Sequence, residues 1–341
     1  MCGFALLLLG VNVAKAEELP LFASGEPLNV TLDIPLSPFL ERATEKPVEF
    51  GELHFLGADG KEISVTVKIT TRGKSRLEHC RIPPLSMTFT KKKSLVGTVF
   101  EGQKRLKIVT RCKDMRDYRR YQLQEFSVYR AFNILSDVSF RVRQLNVTYR
   151  DADDPGRSVE GNVFLIESVK ELANRLKLER PSVGKLREAQ LDPSYTTLSA
   201  MFQFLIGNTD WSVIMGPSKD RCCHNGKILA PEGSTEGWMV VPYDFDQAGI
   251  INTVYAAPAN ELPIRSVRQR LFRGRCIHAD HIDSVTALFN ERRPQLEAAL
   301  APSELGTRFR KATLAYIDNF YRITNDPKQR KRHVDGSCLG R

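Results

Sequence analysis

The chain has 341 residues, of which 42% are hydrophobic and 26% are charged, and its formal net charge is +10 at pH 7. This composition excludes a disordered or fibrous protein, and the length is sufficient for two domains or lobes with a sizeable core. The lysines and arginines are not interleaved with aromatic residues and form no known nucleic-acid-binding motif, so we expect no nucleic-acid partner.

The first sixteen residues predict a signal peptide. Residues 4–13 form an apolar run too short to span a membrane, and Ala14-Lys15-Ala16 matches a small-x-small cleavage site. A basic segment before the apolar run is missing, and a buried N-terminal strand is the alternative interpretation. We expect an exported protein, periplasmic or extracellular, without a transmembrane segment.

The mature chain begins with an irregular segment and continues with strands. Residues 17–46 are rich in proline and predict no regular element. Alternation of apolar and polar residues predicts strands at 48–56, 62–71, 84–90, 104–110, 140–149 and 159–167. Helical spacing predicts one long helix at 115–135, and further helices at 168–177, 195–206, 279–299 and 303–323. Basic residues near the C-terminus predict a frayed, solvated tail.

This order of elements predicts an α+β protein with a two-lobed, protein-kinase-like fold. The expected N-lobe is β-rich and contains one long helix, whereas the C-lobe is mostly helical, with the ligand between the lobes. The expected boundaries are a signal peptide at 1–16, an irregular segment at 17–46, the N-lobe at 47–168, the C-lobe at 169–325 and a basic tail at 326–341.

Acidic and amide side chains at the ends of predicted elements indicate a phosphoryl-transfer site. Asp210 follows a helix, Asn225 lies fifteen residues later, and Asp244 and Asp246 follow an apolar strand. Phosphoryl transfer needs carboxylates for a divalent metal and one for the proton of the nucleophile, and Mg²⁺ prefers oxygen ligands. Taken singly, Asp210 is typical of a turn residue, and the other two aspartates are typical of a structural ion-pair centre.

An arginine-rich segment follows these aspartates, and its role stays open. Its members are Arg268, Arg270, Arg273 and Arg275. They either clamp a phosphate or line a solvated helix face.

Several of these segments resemble the CotH family of atypical secreted or spore-coat kinases and, more distantly, HipA-type and phosphatidylinositol kinases. The most specific are Phe204-Leu-Ile-Gly-Asn-Thr-Asp-Trp211, His224-Asn225 and Val241-Pro-Tyr-Asp-Phe-Asp246. Residues 72–76 are similar to the family's Arg-Gly-Asn-Ser-Ser segment, and residues 104–109 resemble its strand before the long helix. The resemblance spans roughly residues 62–275.

The resemblance implies a kinase that uses ATP with Mg²⁺ or Mn²⁺. It implies that Asp210 is the catalytic carboxylate and that Asn225 and Asp244 bind the metal. The last motif is Asp-Phe-Asp rather than Asp-Phe-Gly, so Asp246 is a further or replacement metal ligand. An insertion at residues 212–223 takes the place of a short catalytic loop.

The resemblance also implies the residues that contact the nucleotide phosphates. Lys107 would contact the α- and β-phosphates and pair with Glu125, which lies eighteen residues later. Arg72 would belong to the phosphate-facing loop. The expected function is transfer of a phosphoryl group from a metal-bound nucleotide to a protein or small-molecule acceptor. The alternative is a pseudokinase-like nucleotide- or metal-binding structural protein without turnover. A metal-dependent hydrolase is a third option, but it would need more His or carboxylate ligands than this segment offers.

Cysteine usage agrees with export. Residues beyond the leader include an even number of cysteines, namely Cys80, Cys112, Cys222, Cys223, Cys276 and Cys338. Cys80 and Cys112 flank two predicted strands, so we predict that they pair. We also predict that Cys276 pairs with Cys222 or Cys223 and clamps the insertion before Asn225, with Cys338 free or paired with the remaining cysteine.

Overall fold

The computed structural model describes residues 19–41, 43–73, 75–218 and 220–340, so the expected signal peptide lies outside the described residues. The strands are β1 (Leu28–Ile34), β2 (Val48–Leu56), β3 (Glu62–Thr71), β4 (Leu85–Phe89), β5 (Arg105–Val109), β6 (Val142–Asp151), β7 (Ser158–Ile166), β8 (Gly226–Leu229) and β9 (Met239–Pro242). The α-helices are α1 (Pro20–Ala23), α2 (Ser37–Glu41), α3 (Ser75–His79), α4 (Arg116–Leu135), α5 (Val169–Leu176), α6 (Pro193–Ile206), α7 (Ile282–Glu291), α8 (Arg293–Leu300), α9 (Thr307–Asn325) and α10 (Pro327–Arg330). Within these ranges, no helix is both long enough and apolar enough to cross a membrane.

The first seven strands form a closed barrel in the order β1-β2-β3-β4-β5-β7-β6. All neighbours are antiparallel except β1 and β6, which run parallel with Leu28 opposite Leu145 and Ile34 opposite Asp151. Alternate residues of each strand point inward and build an apolar interior. Its members include Leu32, Val67, Ile69, Leu106 and Leu165.

This architecture shows that the predicted two-lobed, protein-kinase-like fold is wrong. β1 lies within residues 17–46, where the proline content predicts an irregular segment, and its pairing with β6 closes the strands into a mixed barrel. Three short helices, α1 to α3, also precede α4, so the barrel region contains further helices besides the one long helix that was predicted. The prediction failed because β1 is fixed by a partner far along the chain.

A second apolar core lies between α4 and the helices of the C-terminal half. It includes Phe132 of α4, Phe202 of α6, Phe289 of α7 and Phe320 of α9, and the Phe132 and Phe202 ring centres are 4.7 Å apart. The predicted helix 279–299 divides into α7 and α8, because Pro294 stands in the first turn of α8, where a continuous helix cannot accommodate it.

The basic C-terminal segment is folded rather than frayed. Helix α10 and a further helical turn, Lys331–Asp335, follow α9. Cys338 then forms a disulfide with Cys276, and the Cys276 N–H donates to the Leu339 carbonyl oxygen at 3.0 Å. The C-terminal segment is therefore fastened to the chain that precedes α7.

Truncation of an inward side chain on β1 tests whether this strand closes the barrel. Leu32 is 1% exposed, and we expect Leu32→Ala to lower the free energy of unfolding by about 2–5 kcal/mol, because it leaves a cavity in the interior. Urea denaturation measures the change. Thr31→Ala, on the other face of the same strand, is the control and should change stability by less than about 0.5 kcal/mol. A loss below about 1 kcal/mol for Leu32→Ala would contradict a packed, closed barrel.

Candidate functional site

Asp210 lies in the turn that ends helix α6. Gly207 caps this helix with a left-handed φ of 66°, and its N–H donates to the Phe204 carbonyl oxygen at 3.2 Å. A side chain at this position would be strained and would collide with the Tyr316 hydroxyl group, so glycine is required. The Asp210 N–H donates to Asn208 Oδ1 at 3.0 Å. The resulting sharp turn leaves the Asp210 side chain 41% exposed.

Two arginines hold the backbone that carries Asp210. Arg270 donates from Nε to the carbonyl oxygen of Phe204 and from Nη2 to that of Leu205, each at 3.0 Å. Arg273 donates to the carbonyl oxygen of Thr209. The last carbonyl groups of a helix lack intrahelical partners, so Arg270 satisfies the end of α6, and Arg273 holds the turn that follows it. Arg270 and Arg273 therefore neither clamp a phosphate nor line a solvated helix face, because both bind backbone carbonyl groups.

Asp210 is tied to His224 and Asn225 across the insertion. Asp210 Oδ1 lies 2.6 Å from His224 Nε2, and Asn225 Nδ2 donates to Oδ2 and to the backbone carbonyl oxygen of Asp210 at 2.8 and 2.7 Å. The two ends of the insertion lie together, because the Ser212 N–H donates to the His224 carbonyl oxygen at 3.1 Å. Asn225 Oδ1 has no hydrogen-bond donor among the described residues and remains available as a ligand.

The charges around Asp210 favour its ionised form. Burial acts to raise the pKa of Asp210, but the hydrogen bonds with His224 and Asn225 and the nearby charge of Arg273 together lower it. The hydrogen bond with Asp210 in turn raises the pKa of His224. An ionised and partly exposed carboxylate of this kind is suited to orient a hydroxyl group for reaction.

A short antiparallel hairpin brings Asn225 next to Asp244. Strands β8 and β9 pair over their full length, so the residue before β8 lies beside those after β9, and the Tyr243 N–H donates to the Asn225 carbonyl oxygen at 3.0 Å. Asn225 and Asp244 have left-handed φ values of 46° and 63°, a conformation that Asn and Asp tolerate better than most residues. The Asp244 N–H donates to the Tyr129 hydroxyl oxygen at 3.0 Å.

The Asp244 carboxylate has no partner of its own. Neither a hydrogen bond nor an ion pair joins it to any other side chain in the described ranges. Burial and the charge of Asp246 raise its pKa, and Arg76 and Arg72 only partly oppose that effect. Such a carboxylate would be stabilised by a bound cation.

Arg76 of α3 joins Asp246 to Glu125 of α4. Its Nη2 atom lies 2.7 Å from Asp246 Oδ2 and 3.5 Å from Glu125 Oε2, and the three side chains are 20%, 16% and 7% exposed. Burial raises the pKa of Glu125 to about 7 in spite of Arg76. Burial acts to lower the pKa of Arg76, but the two carboxylates outweigh it and hold that pKa well above its usual range.

Lys107 and Arg72 converge on Tyr243, the residue before Asp244. The Lys107 Nζ atom lies 4.4 Å from the centre of the Tyr243 ring, and Arg72 Nη1 donates to the Tyr243 hydroxyl oxygen at 3.4 Å. Burial, together with the charge of Arg72, lowers the pKa of Lys107 to about 8. The expected ion pair of Lys107 with Glu125 does not form within the described chain, because Arg76 takes that carboxylate.

Sequence reasoning missed three side chains at the site. Arg76 stands at the end of the 72–76 segment, Tyr243 directly precedes Asp244, and Lys227 Nζ lies 5.3 Å from the centre of the Tyr243 ring. Lys227 lies only two residues after Asn225, and this closeness along the chain could have indicated it.

The disulfides agree only in part with the predicted pairing. They are Cys80–Cys112, Cys222–Cys223 and Cys276–Cys338. The first is confirmed, with its Cα atoms 4.3 Å apart. The predicted clamp from Cys276 to the insertion is wrong, because the C-terminal segment brings Cys338 to Cys276 and the two adjacent cysteines pair with each other. Backbone hydrogen bonds hold the insertion instead, among them the His224 N–H to the Met215 carbonyl oxygen at 3.1 Å.

The donor set at the site fits a cation that is shared with phosphate. No group of three or more His, Cys, Asp or Glu side chains in the described ranges has an arrangement that could hold a metal ion. Asn225 Oδ1 and the Asp244 carboxylate nevertheless provide two oxygen donors without protein partners in the described ranges, at one end of the β8–β9 hairpin. Magnesium in phosphoryl-transfer sites typically uses one or two carboxylates, with waters and substrate phosphates as the remaining ligands. The donor chemistry therefore fits Mg²⁺ bound together with a nucleotide.

A cavity of about 580 Å³ lies beside Asp246, but the predicted metal ligands Asn225 and Asp244 do not line it. Its lining includes Arg76, Asp246, Tyr118, Tyr255 and the Cys80–Cys112 disulfide. This volume lies within the usual range for sites that bind small molecules. This cavity therefore offers room for a ligand beside Arg76 and Asp246.

Comparison of the sequence with protein-family models finds no match, and a search of the curated proteins finds no similar chain. The resemblance to CotH kinases therefore stays a prediction. The function has to be inferred from the chemistry of the site.

Removal of the Arg76 charge tests the ion pair that joins α3, α4 and the Asp246 loop. We expect Arg76→Gln to lower the free energy of unfolding by about 3–5 kcal/mol at neutral pH, because it leaves Asp246 and Glu125 uncompensated. Urea denaturation measures this change. Arg81→Gln, at an exposed neighbouring position, is the control and should change stability by less than about 0.5 kcal/mol.

A double variant tests whether unpaired carboxylates cause the loss of stability. Adding Glu125→Gln to Arg76→Gln should restore part of the lost stability, because it removes one of the two unpaired carboxylates. Parental stability of Arg76→Gln alone would contradict the proposed importance of this ion pair.

Proposed function

We propose that this chain is an exported kinase that transfers a phosphoryl group from a metal-bound nucleotide to a hydroxyl group of a protein or small molecule. The observation that supports this function is the convergence of three kinds of group. They are an ionised carboxylate on Asp210, the free oxygen donors of Asn225 and Asp244, and the cations of Lys107 and Arg72. Phosphoryl transfer requires these groups and little covalent chemistry from the protein. The barrel itself lends the proposal no support.

In the proposed reaction, the hydroxyl oxygen of the acceptor attacks the terminal phosphorus of the nucleotide. A new oxygen–phosphorus bond forms as the bond to the bridging oxygen breaks, and the nucleoside diphosphate leaves. Asp210 orients the hydroxyl group and receives its proton as the new bond forms. His224 and Asn225 hold this carboxylate in place from two sides.

A divalent cation would neutralise phosphate charge during this reaction. Mg²⁺ or Mn²⁺ would be held by Asn225 Oδ1 and the Asp244 carboxylate. Asp246 Oδ2 forms an ion pair with Arg76 Nη2 at 2.7 Å, so we assign Asp244 as the carboxylate ligand of the cation. Asp246 would instead hold the loop that carries Asp244. Lys107 and Arg72 would contact the phosphates.

Export has its own support. The leader at residues 1–16 has the pattern of a signal peptide, and the described chain contains three disulfides. Disulfides persist in oxidising compartments and are rare in the cytosol. We therefore propose a periplasmic or extracellular location.

A binding protein without turnover is the second candidate, and one observation favours it. Both carboxylate oxygens of Asp210 already have partners, since Oδ1 contacts His224 and Oδ2 accepts from Asn225. Neither oxygen is fully free to take a proton from an acceptor. Such a protein would bind nucleotide and metal as the kinase does but would not consume the nucleotide.

Thermal denaturation tests whether nucleotide and metal bind together. We expect ATP with Mg²⁺ or Mn²⁺ to raise Tm more than either alone, and at about a hundred times Kd the gain corresponds to about 2.7 kcal/mol. Asp244→Ala should abolish the synergy, because the carboxylate ligand is lost. Asp153→Ala, at an exposed position in the turn between β6 and β7, should retain it. If Asp244→Ala shows the parental synergy, Asp244 does not belong to the site.

Turnover distinguishes the kinase from the binding protein. Asp210→Asn keeps the shape of the side chain but removes the charge that orients the acceptor, so we expect phosphoryl transfer to fall at least about a hundredfold. Nucleotide binding and Tm should stay close to those of the parent. The measurement is release of ADP from ATP in the presence of peptides and small molecules that carry hydroxyl groups, with Asp153→Asn as the control.

Two results of this assay would contradict the kinase assignment. An unchanged rate in Asp210→Asn would mean that another carboxylate acts on the acceptor. A parent protein that binds ATP with metal but releases no ADP would favour the binding protein.

A further inference from the structure

Positive charge accumulates around the ring of Tyr243. The Nζ atoms of Lys107 and Lys227 lie 4.4 and 5.3 Å from the ring centre, and Arg72 donates to the hydroxyl oxygen. No carboxylate lies within ion-pair distance of either lysine in the part of the chain that the structure describes. Surface lysines usually point into water, whereas these two are half-buried and face the same aromatic ring.

The three cations come from separate parts of the chain and repel one another. Arg72 follows β3, Lys107 lies on β5, and Lys227 lies on β8. The fold holds these groups together against that repulsion, and a bound anion would relieve it.

Two further observations indicate what kind of anion this cluster would bind. Arg72 Nε is buried and has no acceptor within the described chain, so the cluster has an unsatisfied donor. Asp244, with its free carboxylate, is the next residue after Tyr243. A carboxylate without a partner therefore directly follows the tyrosine that the three cations surround, and a nucleotide with a divalent metal requires both kinds of group.

We propose that Lys227 is a second phosphate-binding lysine and that Arg72, Lys107 and Lys227 together bind the polyphosphate of a nucleoside triphosphate around Tyr243. The nature of this ligand rests on the proposed function. One phosphate carries too little charge to compensate three cations, whereas a triphosphate spans several. The Tyr243 ring holds both ammonium groups by cation–π attraction and so fixes their spacing. The cluster therefore selects for phosphate-chain length.

Calorimetric titration with inorganic tripolyphosphate, ATP and AMP tests this proposal. Lys227→Gln should weaken the binding of tripolyphosphate and ATP about tenfold, which corresponds to about 1.4 kcal/mol, and should change AMP binding by less than about threefold. Lys227→Arg keeps the charge and should restore most of the affinity. Lys311→Gln, at an exposed position on α9, is the matched control and should bind all three ligands like the parent.

Several outcomes would overturn the proposal. Equal tripolyphosphate affinity in Lys227→Gln and the parent would exclude contact with phosphate, and so would a parent that binds no tripolyphosphate. An equal loss for ATP and AMP would place Lys227 at the nucleoside or its first phosphate. The Tm of Lys227→Gln without ligand shows whether the variant is folded, and Lys227→Arg supplies the test if it is not.

The phosphate site and the kinase can fail separately. If the parent transfers no phosphoryl group but loses tripolyphosphate binding on Lys227→Gln, the phosphate site stands and the kinase does not. If Lys227→Gln transfers phosphoryl groups and binds ATP at parental levels, the kinase stands and the role of Lys227 does not.

Discussion

One buried cation joins three parts of the chain that contribute to the site. Arg76 stands on the short helix after β3, Glu125 lies within α4, and Asp246 lies in the loop after β9. A buried carboxylate without a counter-ion is unfavourable by several kcal/mol, so these elements keep a fixed relation to one another. Asp244 lies two residues before Asp246, and Arg72 lies four residues before Arg76. The same ion pair therefore positions the free carboxylate and the arginine that faces Tyr243.

The strands were predictable from local pattern, but the closure of the barrel was not. The predicted strands 48–56 and 62–71 coincide with β2 and β3, because each buries alternate residues. β1 also buries alternate residues, but it stands among prolines and owes its place to β2 and β6. Whether a sheet closes depends on twist and register between distant strands, which an alternating pattern does not specify. The predicted fold class was wrong for this reason.

At the site, the sequence predicted which residues take part, but it did not predict which residues pair with one another. The chain order of Asp210, Asn225 and Asp244 indicated oxygen ligands, and the structure brings these residues together. The partner of Glu125 was not predictable, because a spacing of eighteen residues between a strand and a helix does not measure a distance in space. Arg76, rather than Lys107, contacts the Glu125 carboxylate. Cys276 likewise pairs with a cysteine from the C-terminal segment, whose return could not be read from local sequence.

Closure of the barrel also bears on how the chain avoids aggregation. Each of the strands β1 to β7 is paired on both sides, so this part of the described chain has no free strand edge to which another molecule could add. Detachment of β1 alone would uncover β2 and β6 together and turn a sealed surface into an open sheet with two edges. Although β1 carries no site residue, its pairing with β2 and β6 therefore helps to protect the protein from self-association.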